Sequence, residues 1–255
     1  MIGVVNATRL DYDRKLNWSE LGDNVSIYYD QVGSDPTDEM IVERAIGKEI
    51  LITKEIAISS SLLTRLPTSV RVICEAGTGF NNIALDICKE RGITVMNVPS
   101  YSSSAVASLV LTFILNFSCS LIPQQRSLYG GDTINFTTCL SFPHFEVAGK
   151  TLGLIGGRGN IGSQVAALAK AFGMTILIST RDPISSDSSE SGVSYTTSID
   201  ELLQQSDFIS LHCPLNSETK HLINERTLSL MKSTAYIINT ARGNYPNYSN
   251  GYLSF

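Results

Sequence analysis

Charge is scarce in this sequence. Asp, Glu, Lys and Arg make up 17% of its 255 residues, against about 25% in ordinary soluble domains. The formal net charge is −5, so no basic excess offers a face to nucleic acid or anionic lipid, and no nucleic-acid partner is expected. The cysteines lack any pairing pattern: Cys74, Cys88, Cys119, Cys139 and Cys213 are odd in number, widely spaced and never arranged as C-x-x-C. That excludes a disulfide framework and fits reduced thiols in a cytoplasmic chain. No metal site is expected. Asn6, Arg9, Asp11 and Asp13 interrupt the apolar N-terminus early, which argues against a secretion signal. No repeat of solenoid period is present.

The long stretch from Gly92 to Gln125 has no charged side chain, and its most apolar part runs from Ala105 to Ile122. Ser108, Thr112, Asn116 and Ser120 recur every four residues there, placing a polar stripe along one side of a helix. A buried core or subunit-interface helix fits this pattern better than a membrane span, because hydrocarbon leaves such a stripe unsatisfied. No membrane partner is expected.

What is present is apolar and glycine-rich: 43% hydrophobic residues and 19 glycines. At about 150 residues per domain, the length suits one large or two modest domains. Short apolar runs at Ile2–Val5, Val25–Tyr29, Ile50–Thr53, Val70–Cys74 and Ile93–Asn97 read as strands. Asp38–Ile46, Ser59–Leu66 and Asn82–Arg91 between them read as helices. An irregular segment from Pro123 to Ala148 reads as a connection between two lobes. A second alternating set follows: strand Thr151–Gly156, helix Asn160–Phe172, strand Thr175–Thr180 and a serine-rich loop at Ser185–Ser191. It continues with strand Val193–Thr196, helix Ile199–Gln205 opened by a Ser198/Glu201 capping box, strand Phe208–His212, a helical turn at Glu225–Met231, and strand Ala235–Asn239. Such alternation predicts an α/β chain with parallel sheets covered on both faces.

Gly157-Arg158-Gly159-Asn160-Ile161-Gly162 is a G-x-G-x-x-G run. It follows an apolar strand and opens a helix whose apolar residues Ile161, Val165, Leu168 and Phe172 recur at helical spacing. In a dinucleotide site the first glycine permits a tight turn, the second lets the backbone approach a pyrophosphate, and the third allows close helix–strand packing. The anion then sits on the helix N-terminus. The competing reading is a turn that merely packs. Roughly 18 residues beyond Gly162, where an acidic residue reads the ribose in NAD sites, the chain has Thr180-Arg181-Asp182. A hydroxyl beside a guanidinium accepts a 2′-phosphate, so the expected cofactor is NADP or NAD with NADP favoured. The alternative is that Asp182 turns back to the ribose.

Several runs together carry a resemblance: Gly77-Thr78-Gly79-Phe80-Asn81-Asn82-Ile83, Asn97-Val98-Pro99-Ser100-Tyr101, Gly149-Lys150-Thr151-Leu152-Gly153, Leu211-His212-Cys213-Pro214-Leu215 and Asn239-Thr240-Ala241-Arg242-Gly243. From Met1 to Gly243 the chain resembles the D-isomer-specific 2-hydroxyacid dehydrogenases, and within them the glycerate dehydrogenase (hydroxypyruvate reductase) branch. The resemblance implies two flavodoxin-like and Rossmann-like lobes: a substrate-binding domain at 1–100, an NAD(P)-binding domain at 101–243, and an unmatched tail at 244–255. It further implies a substrate cleft between the lobes and a homodimer whose contacts include the helix at Ala105–Ile122. Thr78 and Gly79 would hold the substrate carboxylate through backbone amides, Asn160 and Ile161 would line the pyrophosphate, Thr180 and Arg181 the adenosine end, and Pro214 and Thr219 the adenine side. Thr240 would approach the nicotinamide. Arg242 would be the catalytic arginine, binding the carboxylate of a small 2-oxo or 2-hydroxy acid and polarising its carbonyl; the bland reading of Arg242 is a surface ion pair.

Two departures from the family pattern stand out. The turn Ile155-Gly156-Gly157-Arg158-Gly159 is one residue longer than the family form, which predicts a slightly displaced loop. After Gly243 the sequence no longer follows the family, whose catalytic glutamate and general-acid histidine lie beyond the arginine motif. The cofactor lobe is therefore expected to be incomplete at its C-terminus and activity greatly reduced, since losing a general acid typically costs 10²–10⁴ in rate. His144 and His221 do not occupy that motif, and His212, ending a strand, reads as a packing residue more than a catalytic one. The leading function is an NAD(P)-dependent oxidoreductase reducing a 2-oxo acid such as hydroxypyruvate or glyoxylate. The alternative is a non-catalytic dinucleotide-binding or dimer-interacting remnant of the same fold; phosphoglycerate and formate dehydrogenase branches also remain open.

Overall fold

The structure is a computed structural model, which describes residues 1–181 and 192–241. The expected serine-rich loop, Asp182, Arg242 and the 244–255 tail lie outside the described residues. The chain divides into two compact units, Met1–Tyr101 and a second beginning at Ser102.

The first unit alternates strands and helices: β1 (Ile2–Val4), β2 (Val25–Ile27), α1 (Asp38–Ala45), β3 (Ile50–Thr53), α2 (Ser60–Arg65), β4 (Val72–Glu75), α3 (Leu85–Glu90) and β5 (Thr94–Met96). All strands pair in parallel in the order β2-β1-β3-β4-β5, the flavodoxin-like order of doubly wound sheets. Side-chain caps set two of the helix starts, with Thr37 accepting from the Met40 N–H and Ser59 from the Leu62 N–H. Buried Ile41, Leu62 and Leu63 cover Leu51 and Ile73 of the sheet. The third helix starts later than the pattern from Asn82 predicts. Asn82 to Ala84 instead run beside Ile58 as an isolated parallel bridge: the Ile58 N–H donates to the Asn82 carbonyl and the Ala84 N–H to the Ile58 carbonyl.

The second unit comprises α4 (Ser103–Cys119), α5 (Leu121–Tyr129), α6 (Ile134–Thr137), β6 (Thr151–Ile155), α7 (Asn160–Ala171), β7 (Thr175–Ser179), β8 (Val193–Thr196), α8 (Ile199–Gln205), β9 (Phe208–Leu211), α9 (Glu225–Ser229) and β10 (Tyr236–Asn239). Its parallel sheet runs β10-β9-β6-β7-β8. Counted within the unit this is the Rossmann order, with the topological switch between β6 and β9.

The uncharged helix ends earlier than Ile122. Ser120 takes a left-handed conformation (φ 49°), and α4 and α5 are bent by 64° across it. Among the described residues no single helix is long and apolar enough to cross a membrane. The buried face of α4 is Ala107, Val110, Leu111 and Ile114, while Ser108 and Thr112 face outward beside exposed Leu109 and Phe113. The expected inter-lobe connection at 123–148 belongs instead to the second unit. Pro123 sits in the first turn of α5, where a missing N–H breaks no helical bond, and Phe145 and Val147 return to the core around Phe208.

The apolar stripe of α7 also differs from expectation. Gly162, Val165 and Ala169 are buried, whereas Leu168 and Phe172 are 38% and 45% exposed. Small residues face α4 because the two helices share one tightly packed cluster with Ala107. At the Ser198/Glu201 box, Ser198 accepts from the Glu201 N–H, but the Glu201 carboxylate turns to Thr196 and Gln205. A reciprocal capping box forms instead between Asn224 and Thr227.

Gly153 lets α8 lie against β6: a Cβ there would stand 2.3 Å from Ser206 Oγ and 2.6 Å from Leu202 Cδ2. Gly153→Ala is therefore expected to lower the unfolding free energy by about 1–3 kcal/mol. Urea unfolding measures this, and a loss under about 0.5 kcal/mol would mean that α8 yields without cost.

Candidate active site

In-register pairing of Ile155 with Ser179, Ile155 with Leu211 and Asn239 with Leu211 aligns the carboxyl ends of β6, β7, β9 and β10. The residues predicted for the cofactor follow these ends: the glycine turn after β6, Thr180 and Arg181 after β7, Pro214 and Thr219 after β9, and Thr240 after β10. Open α/β sheets bind ligands at this edge.

The glycine turn is a backbone-on-backbone contact. Gly156 has φ +83°, and a Cβ on it would come within 2.7 Å of the His212 carbonyl carbon and the Cys213 nitrogen. A Cβ on Gly157 would stand 2.8 Å from Leu154 Cβ, and one on Gly162 would stand 2.6 Å from the Gly156 oxygen and Gly157 Cα. Gly159 differs, since its Cβ would meet only the Gly156 oxygen at an ordinary 3.4 Å. The protein itself demands glycine at 156, 157 and 162, not at 159. Gly156 is left-handed, and the Gly159 N–H closes the turn on the Gly156 oxygen at 3.1 Å. Gly159 is the N-cap of α7, with no side-chain cap and no acidic residue in the first turn. The N–H groups of Asn160, Ile161 and Gly162 have no acceptor among the described residues. Such a helix start attracts an anion.

Thr180 continues the ladder, its N–H donating to the Thr196 oxygen at 2.9 Å. Arg181 is 79% exposed and pairs with Glu218 at 3.5 Å, a partner the sequence reading missed. The Pro214–Thr219 loop is tied to itself: the Thr219 hydroxyl donates to the Pro214 oxygen, and the Glu218 and Thr219 N–H groups both donate to Asn216 Oδ1 at 2.9 Å. Thr240 Oγ1 is buried with no hydrogen-bond partner among the described residues. Arg242, the expected catalytic residue, lies outside the described residues.

His212 lies at the foot of this edge with Nε2 2.9 Å from Ser210 Oγ. Burial depresses its pKa to about 4, so at neutral pH it is an uncharged packing residue without a spare proton. Burial likewise pushes the Cys213 thiol up, away from nucleophilic thiolate character.

The first unit has its own anion cradle. Gly77 to Gly79 follow β4, and the N–H groups of Thr78 and Gly79 have no acceptor among the described residues. One flank of the loop is strapped to the strand β5 exit: Asn97 Nδ2 donates to the Thr78 oxygen at 2.8 Å, Thr78 Oγ1 to the Val98 oxygen at 3.0 Å, and the Val98 N–H to the Gly77 oxygen at 3.0 Å. The other flank rests on Glu75, a carboxylate only 1% exposed. It accepts from Thr53 Oγ1 at 3.0 Å, the Glu55 N–H at 2.9 Å and Asn82 Nδ2 at 3.0 Å. Glu75 and Asn82 escaped the sequence reading as site supports. The available signal was an acidic residue ending an otherwise apolar strand.

His212 gives a pH prediction. Its folded pKa lies below the unfolded value of about 6.5, so it contributes stability fully above pH 6.5 and loses it as pH falls toward 4. That loss is expected to be on the order of 2–3 kcal/mol in the wild type and absent in His212→Asn. Chemical denaturation at steps between pH 7 and pH 4 reads the difference; parallel curves for the two proteins would remove the assignment.

Three comparisons bear on the site. The sequence profile described as "D-isomer specific 2-hydroxyacid dehydrogenase, NAD binding domain" matches residues 111–249, past Gly243 where the motif resemblance stops. The chain is 36% identical over 215 residues to a D-3-phosphoglycerate dehydrogenase of Methanocaldococcus jannaschii, covering 84% of this chain and 40% of that protein. It is 33% identical over 217 residues to a glycerate dehydrogenase of Methylorubrum extorquens, covering 84% and 66%. Both relatives are thus considerably longer than the part this chain spans. Among solved structures, D-lactate dehydrogenase of Aquifex aeolicus, complexed with NAD and lactic acid, superposes with a TM-score of 0.79 at 33% identity. That match covers 95% of this chain and 69% of the other.

Proposed function

The chain belongs to the D-isomer specific 2-hydroxyacid dehydrogenase family, and on that premise we propose that it is an NAD(P)-dependent oxidoreductase acting on the CH–OH group of a small D-2-hydroxy acid. In the reverse direction the substrate is a 2-oxo acid such as hydroxypyruvate or glyoxylate. The observation that carries this reading is the uncapped start of α7, presented at the Rossmann switch by a turn whose glycines permit backbone contact. Gly159 adds to it: a Cβ there would meet only the Gly156 oxygen at 3.4 Å, so the outer side of the turn is left open for a ligand to approach the backbone. Thr240 Oγ1, two strands further along the same edge and without a partner among the described residues, suits a polar group of the nicotinamide end.

In this proposal the unit from Met1 to Tyr101 binds substrate and the unit from Ser102 binds the cofactor. The bound nicotinamide supplies the hydride chemistry. The chain's residues bind and orient. The N–H groups of Asn160, Ile161 and Gly162 hold the diphosphate, Pro214 and Thr219 flank the adenine, and Thr180 and Arg181 take the adenosine ribose with NADP(H) favoured. Thr78 and Gly79 hold the substrate carboxylate through their N–H groups. Arg242 is assigned by its motif alone, as the cation that pairs with the carboxylate and polarises the carbonyl. His212 stays neutral and shapes the wall behind Gly156.

The exposed apolar side chains Leu109, Phe113, Leu121, Ile122 and Leu128 along α4 and α5 support a homodimer through this face. All five cysteines are unpaired thiols, which supports a reducing, cytoplasmic setting.

Calorimetry with NADPH and NADH, followed by turnover of hydroxypyruvate and glyoxylate, tests the reading. Binding of both cofactors with NADPH tighter is expected, together with measurable turnover that Arg242→Ala lowers by about 10²-fold or more. Binding without turnover would favour a non-catalytic dinucleotide-binding remnant, and no binding would remove the proposal. Gly159→Ala separates a ligand cradle from a turn that only packs. Its unfolding free energy is expected to fall by no more than about 1 kcal/mol, the difference between glycine and alanine at an N-cap, while cofactor affinity falls at least about tenfold. A variant that binds normally would return the turn to a packing role.

A further inference from the structure

We propose that Glu218 is a specificity-determining residue: by holding Arg181 it opposes the 2′-phosphate and sets how far NADPH is preferred over NADH. This inference rests on the dinucleotide reading above. Its starting observation is a pair that makes no sense as a stabilising contact. The Arg181 and Glu218 side chains are 79% and 71% exposed, with Nη2 and Oε2 3.5 Å apart, and exposed pairs of this kind contribute little to folding. Its position is informative. Arg181 follows β7 and Glu218 lies in the loop after β9, and these are the two strands that flank β6. The pair therefore joins the two loops across the carboxyl end of the strand that feeds the glycine turn.

The glutamate is presented from a fixed loop. Its N–H shares Asn216 Oδ1 with the Thr219 N–H, the Asn216 N–H donates to Thr219 Oγ1 at 2.9 Å, and the Thr219 hydroxyl donates to the Pro214 oxygen. All four bonds lie within the loop, so the Glu218 backbone is placed by its own turn rather than by the ion pair. Arg181 is thus the adaptable partner, a long side chain able to swing between two anions.

The chemistry then divides the two cofactors. A 2′-phosphate carries nearly two negative charges and competes with the Glu218 carboxylate for one guanidinium. To bind it, Arg181 must leave Glu218, and the displaced carboxylate remains nearby as a like charge. The free 2′-hydroxyl of NADH makes no such demand, because Arg181 keeps its partner and the hydroxyl can donate to a carboxylate. A charge at this distance in a solvent-exposed site changes an anion's affinity by a factor of a few, and less as salt rises.

Glu218→Gln removes the charge and keeps the shape. Calorimetric titration of the full chain with NADPH and with NADH, in 20 mM and in 500 mM salt, reads the result. NADPH affinity is expected to rise about three- to tenfold at low salt and less at high salt, with NADH affinity changing less than about twofold. Glu218→Lys should raise NADPH affinity further. Combining Glu218→Gln with Arg181→Gln should abolish the gain, because the two residues act on one another. Equal changes for both cofactors, or no change, would overturn the assignment of Glu218 while leaving the dinucleotide site standing. Failure of the wild type to bind either cofactor would overturn both.

Discussion

The second unit depends on one close approach, that of α7 to the turn which precedes it. With a Cβ on Gly162 the helix would strike the Gly156 oxygen and Gly157 Cα at 2.6 Å, and with one on Gly156 the turn would strike the backbone after β9 at 2.7 Å. Removing these carbons lets helix start, turn and neighbouring strand end meet at backbone distance. The proposed diphosphate site follows from that meeting, because it brings N–H groups of α7 that have no acceptor among the described residues to the end of β6 rather than a side chain's length away. The same logic recurs at Gly153, where a missing side chain brings α8 against the sheet, and along α7, where Val165 and Ala169 share one cluster with α4.

Close packing of this kind explains which parts of the molecule can be read from sequence and which cannot. Strands such as β6 and β9 are largely apolar because both faces are covered, and their positions follow directly from runs such as Phe208-Ile209-Ser210-Leu211. The glycine turn is legible because its spacing carries backbone geometry. Hydrophobicity patterning misjudged α7, since it ranks Leu168 and Phe172 above Ala169, while the geometry of a tight helix pair favours the small residue. It also missed the break at Ser120, because the apolar run continues through Leu121 and Ile122 and only a left-handed φ marks the corner. Pro123, which reads as a breaker, is harmless in a first turn.

The supports of the candidate site were less legible than its contacts, for a different reason. Thr78 and Gly79 announce themselves by a glycine-rich turn, but Glu75 and Asn82, which hold that turn from behind, act through bonds to residues 20 or more positions away or to a strand end. No periodicity encodes such a partner. The Arg181–Glu218 pair is of the same type: two side chains 37 positions apart in sequence are brought together by the sheet order. Sequence spacing records what lies along one element, and sheet topology decides what lies across it.

An acidic, charge-poor chain is an unpromising receptor for anions, and the structure indicates how the conflict is resolved. With a net charge of −5, long-range attraction of a diphosphate or a carboxylate is absent or adverse. Both candidate cradles, at Thr78–Gly79 and at the start of α7, offer backbone N–H groups at close range, and a side-chain cation, Lys54, stands beside the first of them. Backbone donors act over a short range, are fixed by the fold, and need no counter-ion when the site is empty. A side-chain cation can be claimed by a neighbouring carboxylate, as Arg181 is by Glu218. Affinity built on N–H groups and selectivity built on a contested guanidinium are therefore separable properties of the same edge of the sheet, which is why a change at one need not disturb the other.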